Sequence, residues 1–216
     1  MSNMKTNKKT LILTSVVILL PILIGILLWN KLPDSMAIKF GLDNVPEGYR
    51  EKWFEVIITP FFLLAVHLIV AMIMAADPRK KNISSKVYGI IMWIVPATSL
   101  VLAAIIYPYN LGRHFNISLL IGIFMGITWI IIGNYLPKAR QNYSIGVTLP
   151  WTCANEENWN KTNRLSGVIN IITGILIIIN AAIGAFNIFW NFVVLEIIGA
   201  LITGVYSYFL HVKKGL

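Results

Sequence analysis

Two ionisable side chains stand inside long apolar runs of this 216-residue chain, Glu196 and His67. A charge in hydrocarbon costs several kcal/mol unless it is paired, protonated or turned toward protein, so both are expected to face other helices. Glu196 lies about 8 residues, roughly 12 Å at 1.5 Å per residue, from the end of its run. His67 falls near the middle of its own run and Asn180 at a comparable depth, so the three are expected to be able to share one intramembrane polar cluster. Such a cluster serves either as a proton or ligand site or as hydrogen-bonded glue between helices, and one carboxylate without a second acid favours glue. Elsewhere the chemistry is thin. Cys153 is the single cysteine, which rules out an intramolecular disulfide and a Cys-rich metal site. No histidine neighbours it in sequence, and nothing in the spacing brings His211 to it as a base, so it reads as an inert thiol. Arg113 and His114 form a short turn. No HExxH, phosphate-binding glycine loop or paired-carboxylate motif occurs, so the residues predict no enzyme, no cofactor and no metal.

The elements that hold these residues follow from composition. The chain is 57% hydrophobic and 12% charged, with a mean hydropathy of +0.74, more apolar surface than a water-soluble core of this size can hide. A hydrocarbon slab of roughly 30 Å takes about 20 apolar residues per helical crossing. Six runs qualify: 11–29, 56–76 with His67 as its titratable group, 87–107 with Pro96 inside, 117–136, 165–186 and 188–210. The first follows Lys5, Lys8 and Lys9 as a secretory signal would, but no cleavage site follows it, and it reads as a retained anchor. The expected fold is therefore all-α, a polytopic transmembrane bundle of about six helices. Gly122 with Gly126, and Ala200 with Gly204, have the small-xxx-small spacing of close helix packing, within the chain or between copies.

Thirteen of the eighteen Lys and Arg residues fall before the first run, in 77–86, in 137–164 and after the last run; five fall in the alternate connections. The positive-inside rule then places both termini in the cytoplasm. Trp29, Trp53, Tyr107, Tyr109, Tyr135 and Trp190 mark run ends, where amphipathic rings prefer the headgroup region. The chain divides into a first hairpin of spans (1–76, outer loop 30–53), a second (77–136), a loop (137–164) and a third hairpin with a basic tail (165–216). No basic stripe interleaved with aromatics suggests nucleic acid.

The two long connections are where function is expected. The inner one carries Asn142, Gly146, Pro150, Trp151, Thr152, Glu156, Trp159, Lys161 and Arg164. Two tryptophans with glycine and proline punctuation suggest an ordered segment on the membrane surface, its rings in the interface and its cations toward anionic headgroups. Its run N-Y-L-P-K-x-R-x-N-Y-x-x-G-x-x-x-P-W-T, followed by E-x-x-W-x-K-T-N-R, resembles the signature loop of the SdpI/YfhL family of bacterial multispanning membrane proteins. The outer connection, with Pro33, Phe40, Gly41, Tyr49 and Lys52, is similar to a small domain of unknown function at the N-terminus of many of them. Two departures stand out. Thr148 and Leu149 occupy the place of the family's usual Arg-Thr, and Ala37-Ile38-Lys39-Phe40 that of Pro-x-His-Phe.

The resemblance implies a protein of the bacterial cell membrane with an immunity role. The family's namesake protects its producer from a secreted toxic peptide, and acts as a receptor holding a transcriptional repressor at the membrane. The partners so implied are membrane lipids, a toxic peptide outside and a small DNA-binding repressor inside. Glu196 and His67 keep a small proton- or ion-coupled transporter or channel as the alternative. Oligomeric state stays open.

Overall fold

The computed structural model describes residues 2–41 and 43–215, without the side chains of 2–7 and 214, so the Lys5 side chain lies outside the described residues. Among the described residues, six helices are long and apolar enough to cross a membrane: Lys8–Leu27, Phe54–Ala76, Ser85–Asn110, Ile117–Lys138, Glu156–Ile183 and Ile188–Lys213. Without water, backbone groups must be satisfied within the chain, and helices do this locally. The protein is thus the all-α, multi-pass membrane bundle that the apolar runs predict. Its Cα atoms group into two compact units, residues 1–73 with 85–117, and 74–84 with 118–216.

The first unit holds α1 (Ser2–Leu27), strands β1 (Ser35–Phe40) and β2 (Pro46–Glu51), a π-turn (Phe54–Ile58), most of α2 (Thr59–Ala76) and α3 (Ser85–Asn110). Pro21 in α1 lacks an N–H, and α3 supplies hydroxyls to the same stretch. Ser99 donates to the Ile18 carbonyl at 2.9 Å and Tyr107 to the Pro21 carbonyl at 3.2 Å. A Cβ on Gly25 would lie 2.4 Å from a Val56 methyl carbon, so only glycine admits the π-turn this close to α1. Leu32, Met36, Val56, Ile106 and Tyr107 form the buried cluster beneath the strands.

The connection over 30–53 is not an irregular loop. It folds as an antiparallel hairpin whose register shifts between Ala37 and Phe40, with Asn44 in the left-handed region at φ 61°. The sequence hides this because charged and apolar residues do not alternate across the bulge, so no period of two shows. Glu55 is a second difference. It is the acid in the first turn of the second span, which the 56–76 boundary leaves out, and it is buried beside Arg50 (3.7 Å) and Thr59 (3.0 Å).

The second unit holds α4 (Ile117–Tyr135), α5 (Pro150–Ala154), α6 (Glu156–Ile183) and α7 (Ile188–Lys214). Helices α4 and α6 meet backbone to backbone. A Cβ on Gly126 would sit 2.5 Å from the Gly174 carbonyl, one on Gly133 2.6 Å from that of Gly167, and one on Gly122 2.3 Å from the Ala181 Cβ. The Gly122–Gly126 pattern therefore serves packing inside the chain. Nothing lies within 4 Å of a Cβ on Gly204, and Ala200 is exposed, so the second small-residue pair makes no such contact among the described residues. The loop expected over 137–164 ends early: Glu156 opens α6, and Trp159, Lys161 and Arg164 ride its first turns. Asn155 caps that helix, accepting from the N–H groups of Glu157 (2.9 Å) and Asn158 (3.0 Å).

Candidate functional site

The segment from Ala139 to Arg164 is a folded plug whose polar residues bond to one another. Asn142, 1% exposed, uses its whole amide: its oxygen accepts from the N–H groups of Ser144 (2.8 Å) and Ile145 (2.7 Å), and its nitrogen donates to the carbonyls of Arg140 (2.7 Å) and Ile145 (3.1 Å). The Thr152 hydroxyl, fully buried, donates to the Val147 carbonyl at 2.7 Å and accepts from the Leu149 N–H at 2.9 Å, tying the start of α5 to the segment before it. Pro150 sits exposed at the first position of α5, where a missing N–H costs nothing. Gly146 has φ +116°, and a Cβ there would meet Asn163 Oδ1 at 2.6 Å and the Trp159 ring at 3.1 Å, so glycine is required on both counts.

Trp159 is fully buried and donates its indole N–H to the Ala139 carbonyl at 2.8 Å. Trp151 donates to the Ser207 hydroxyl at 2.7 Å and stacks on His211, centroids 5.8 Å apart. Trp159 is therefore not laid against headgroups as expected, and Trp151, part-exposed, turns its N–H to a group of the protein. They hold the loop to α6 and α7, because an indole N–H buried in protein needs a specific acceptor. Cys153 is buried as well, its sulfur 3.9 Å from the Asn142 carbonyl.

The connection between α2 and α3 joins the plug through residues that the sequence reading passed over. Asp77, 4% exposed, accepts from the Arg79 N–H (2.7 Å), the Tyr143 N–H (2.8 Å) and the Ser144 hydroxyl (2.5 Å). Burial pushes its carboxyl upward, but these hydrogen bonds to the charged form outweigh it and hold the group below the ordinary aspartate value. Arg79 bonds the Cys153 carbonyl at 3.0 Å and lies over the Tyr143 ring, and Asn82 donates to the Gln141 carbonyl at 2.7 Å. Asp77, Arg79 and Asn82 carried one legible signal, their place in a basic connection.

What the plug exposes is different in kind. Glu156, Lys161 and Arg164, with Pro137, Glu157 and Asn160, line an open groove of about 610 Å³. Of the nine loop residues singled out in the sequence, these three come together on that surface, while Asn142, Thr152 and Trp159 are buried. Among the described residues no three His, Cys, Asp or Glu side chains gather as metal ligands would.

In the hairpin, Lys52 is 12% exposed in its side chain and organises the entry from α1. It donates to the carbonyls of Trp29 and Leu32, each at 3.1 Å, and pairs with Asp34 at 2.9 Å. That hydrogen bond and the ammonium charge hold the Asp34 carboxyl below its ordinary value. Phe40 meets the Tyr109 ring edge-on at 4.6 Å, Gly41 is buried in the turn, and Pro33 and Tyr49 are exposed.

Among the described residues, His67, Asn180 and Glu196 each have a hydrogen-bond partner of their own. His67, 1% exposed, lies 2.9 Å from the Thr14 hydroxyl through Nε2, and its Nδ1 has no hydrogen-bond partner among the described residues. Glu196 accepts from the Trp129 indole N–H at 2.6 Å. Asn180 is three residues from the end of α6 and closes the turn to α7 through both backbone groups of Phe186, at 2.9 and 3.0 Å. Counting residues places depth on a helix but not azimuth, and an asparagine near a helix end finds its nearest bare backbone first.

Residues 138–208 match the SdpI/YfhL protein family, and residues 16–64 match the Domain of unknown function (DUF1648). The chain is 27% identical over 206 residues to Immunity protein SdpI of Bacillus subtilis (strain 168), an overlap of 94% of this chain and 96% of the relative. No solved structure matches.

Proposed function

We propose that this SdpI/YfhL-family protein of the bacterial cell membrane is an immunity protein that protects its cell from a secreted toxic peptide. The observation that carries this reading is the end-to-end similarity to a relative named as an immunity protein, matched across both the hairpin segment and the plug. Both termini lie in the cytoplasm in this reading, on the strength of the Lys and Arg distribution. The hairpin then meets the peptide outside. The plug offers the groove at Glu156, Lys161 and Arg164 to a cytoplasmic partner, and a small DNA-binding repressor held there would make the protein a receptor as well. A peptide outside influences that groove only by binding two states of the bundle unequally.

The direct test is complementation: the chain is expressed in a Bacillus subtilis strain 168 derivative lacking its own Immunity protein SdpI, and survival is scored beside wild-type cells. Restored survival is expected; unchanged killing at matched membrane expression rejects the immunity reading. Orientation needs a separate reporter, since Cys153 is only 8% exposed. Tyr143→Cys with Cys153→Ala places a thiol at a position 49% exposed, and an impermeant maleimide is expected to label it in inverted vesicles and not in intact cells.

One observation favours a second reading, a proton-coupled transporter: the buried Nδ1 of His67, which has no hydrogen-bond partner among the described residues. It requires that His67→Gln or Glu196→Gln abolish a pH-dependent flux in liposomes, with survival in the complementation assay unaffected by plug substitutions.

A further inference from the structure

The hairpin has two edges, and the structure treats them differently. On the β1 side, the Asn110 side chain bonds both backbone groups of Ala37, accepting from its N–H at 2.8 Å and donating to its carbonyl at 3.0 Å. An asparagine amide there does what a neighbouring strand would do, closing that edge at its centre. Ala37 pairs with Tyr49 across the ladder. Because both groups of Ala37 are spent on Asn110, this is a pair without mutual hydrogen bonds, and the N–H and C=O of Tyr49 point away from β1 as well. Ser35 with Glu51 is the next pair of the same class, and the bond from the Lys52 N–H to the Asp34 carbonyl at 2.8 Å falls in phase with it. Tyr49 therefore presents both of its backbone groups, and Glu51 its N–H, on the outward side of an exposed strand, while the Glu51 carbonyl heads the helical turn that begins at Lys52.

A second copy of the chain is a poor occupant for this edge. Antiparallel self-pairing centred on Arg50 sets Arg50 against its equivalent, centred on Glu51 sets Glu51 against its equivalent, and centred on Tyr49 sets Glu51 against Glu47. Like charges directly opposite destabilise a strand pair. Charged residues along an edge are the ordinary means of preventing self-association, and here they leave the edge open to a strand of different charge.

Resting on the immunity reading, we propose that the free edge of β2, at Tyr49 and Glu51, captures an extended segment of the secreted peptide as a third strand. The segment carries a neutral or basic residue opposite Glu51. Recognition by strand addition draws affinity from main-chain bonds and selectivity from the alternating side chains that flank them.

The test separates backbone from side chain. Tyr49→Pro removes one outward N–H and no ladder bond, while Tyr49→Ala removes the ring and keeps the N–H. The full chain in lipid nanodiscs is mixed with the peptide fraction secreted by Bacillus subtilis strain 168, and amide exchange is followed. Exchange at Tyr49 and Glu51 is expected to slow about tenfold or more. At Glu51 the slowing is expected to persist in Tyr49→Ala and to vanish in Tyr49→Pro. Unchanged exchange in the parent chain overturns the proposal, as does equal loss in both variants, which would mark a side-chain or lipid contact. Slowing that follows protein concentration without peptide overturns it in favour of self-pairing. If the parent restores survival and Tyr49→Pro does so equally well, the edge proposal fails while the immunity reading stands; if the parent fails to protect, the immunity reading fails, and exchange alone decides the edge.

Discussion

The plug and the hairpin are the two connections longer than a turn requires, and they use polarity in opposite ways. In the plug, Asn142, Thr152, Asn158, Thr162 and Asn163 are each at most 1% exposed, and their side chains bond neighbouring loop and helix groups. In the hairpin, Lys39 and Glu47 pair at 3.3 Å with side chains 71% and 49% exposed, and Tyr49 is 62% exposed. A buried polar group left without its partner loses more than the bond was worth, so the plug tolerates little substitution. Exposed pairs contribute little, so the hairpin is free to spend side chains and backbone on a partner. A long sequence signature is thus not in itself a contact surface: much of this one is architecture.

Substitutions sharpen that contrast in order of size. Trp159→Ala empties the centre of the plug and is expected to cost about 3–5 kcal/mol, read as a large fall in melting temperature in detergent and loss of survival in the complementation assay. Asn142→Ala leaves donors and acceptors bare and is expected to cost about 2–3 kcal/mol by the same melting assay. Acid adds a third test. Because the folded Asp77 carboxyl is held below its ordinary value, its contribution is fully present above the unfolded aspartate pKa of about 3.9 and is lost as pH falls below that. Plug stability should drop in that window for the parent chain and show a smaller drop in Asp77→Asn, followed by Trp fluorescence. Lys39→Ala in the hairpin and Lys138→Ala at the plug surface should each change stability by less than about 0.5 kcal/mol. A Lys138→Ala effect equal to that of Trp159→Ala would erase the distinction between architecture and surface.

Much of the molecule was legible in the sequence, for reasons that differ by region. The spans were readable because a run of apolar residues reports its own length and needs no partner. Gly122 and Gly126 were readable as a packing motif, but Gly133, Gly167 and Gly174 were not, since each is an isolated glycine until its counterpart is known. The hairpin was hidden by its bulge, and the role of Asp77 by its separation of 66 positions from Tyr143. His67, Asn180 and Glu196 were legible as polar residues within apolar runs; Thr14, Phe186 and Trp129, which they meet, could not be named.

By itself, the sequence determined the six-span helical architecture, because the thickness of hydrocarbon and the cost of an unpaired peptide group act on each segment separately. The tertiary structure decided which polar residues are consumed and which remain exposed. Hydrogen bonds such as Asp77 to Ser144 and Trp151 to Ser207 join residues far apart in the chain, and no local pattern records the direction in which a side chain finds its partner.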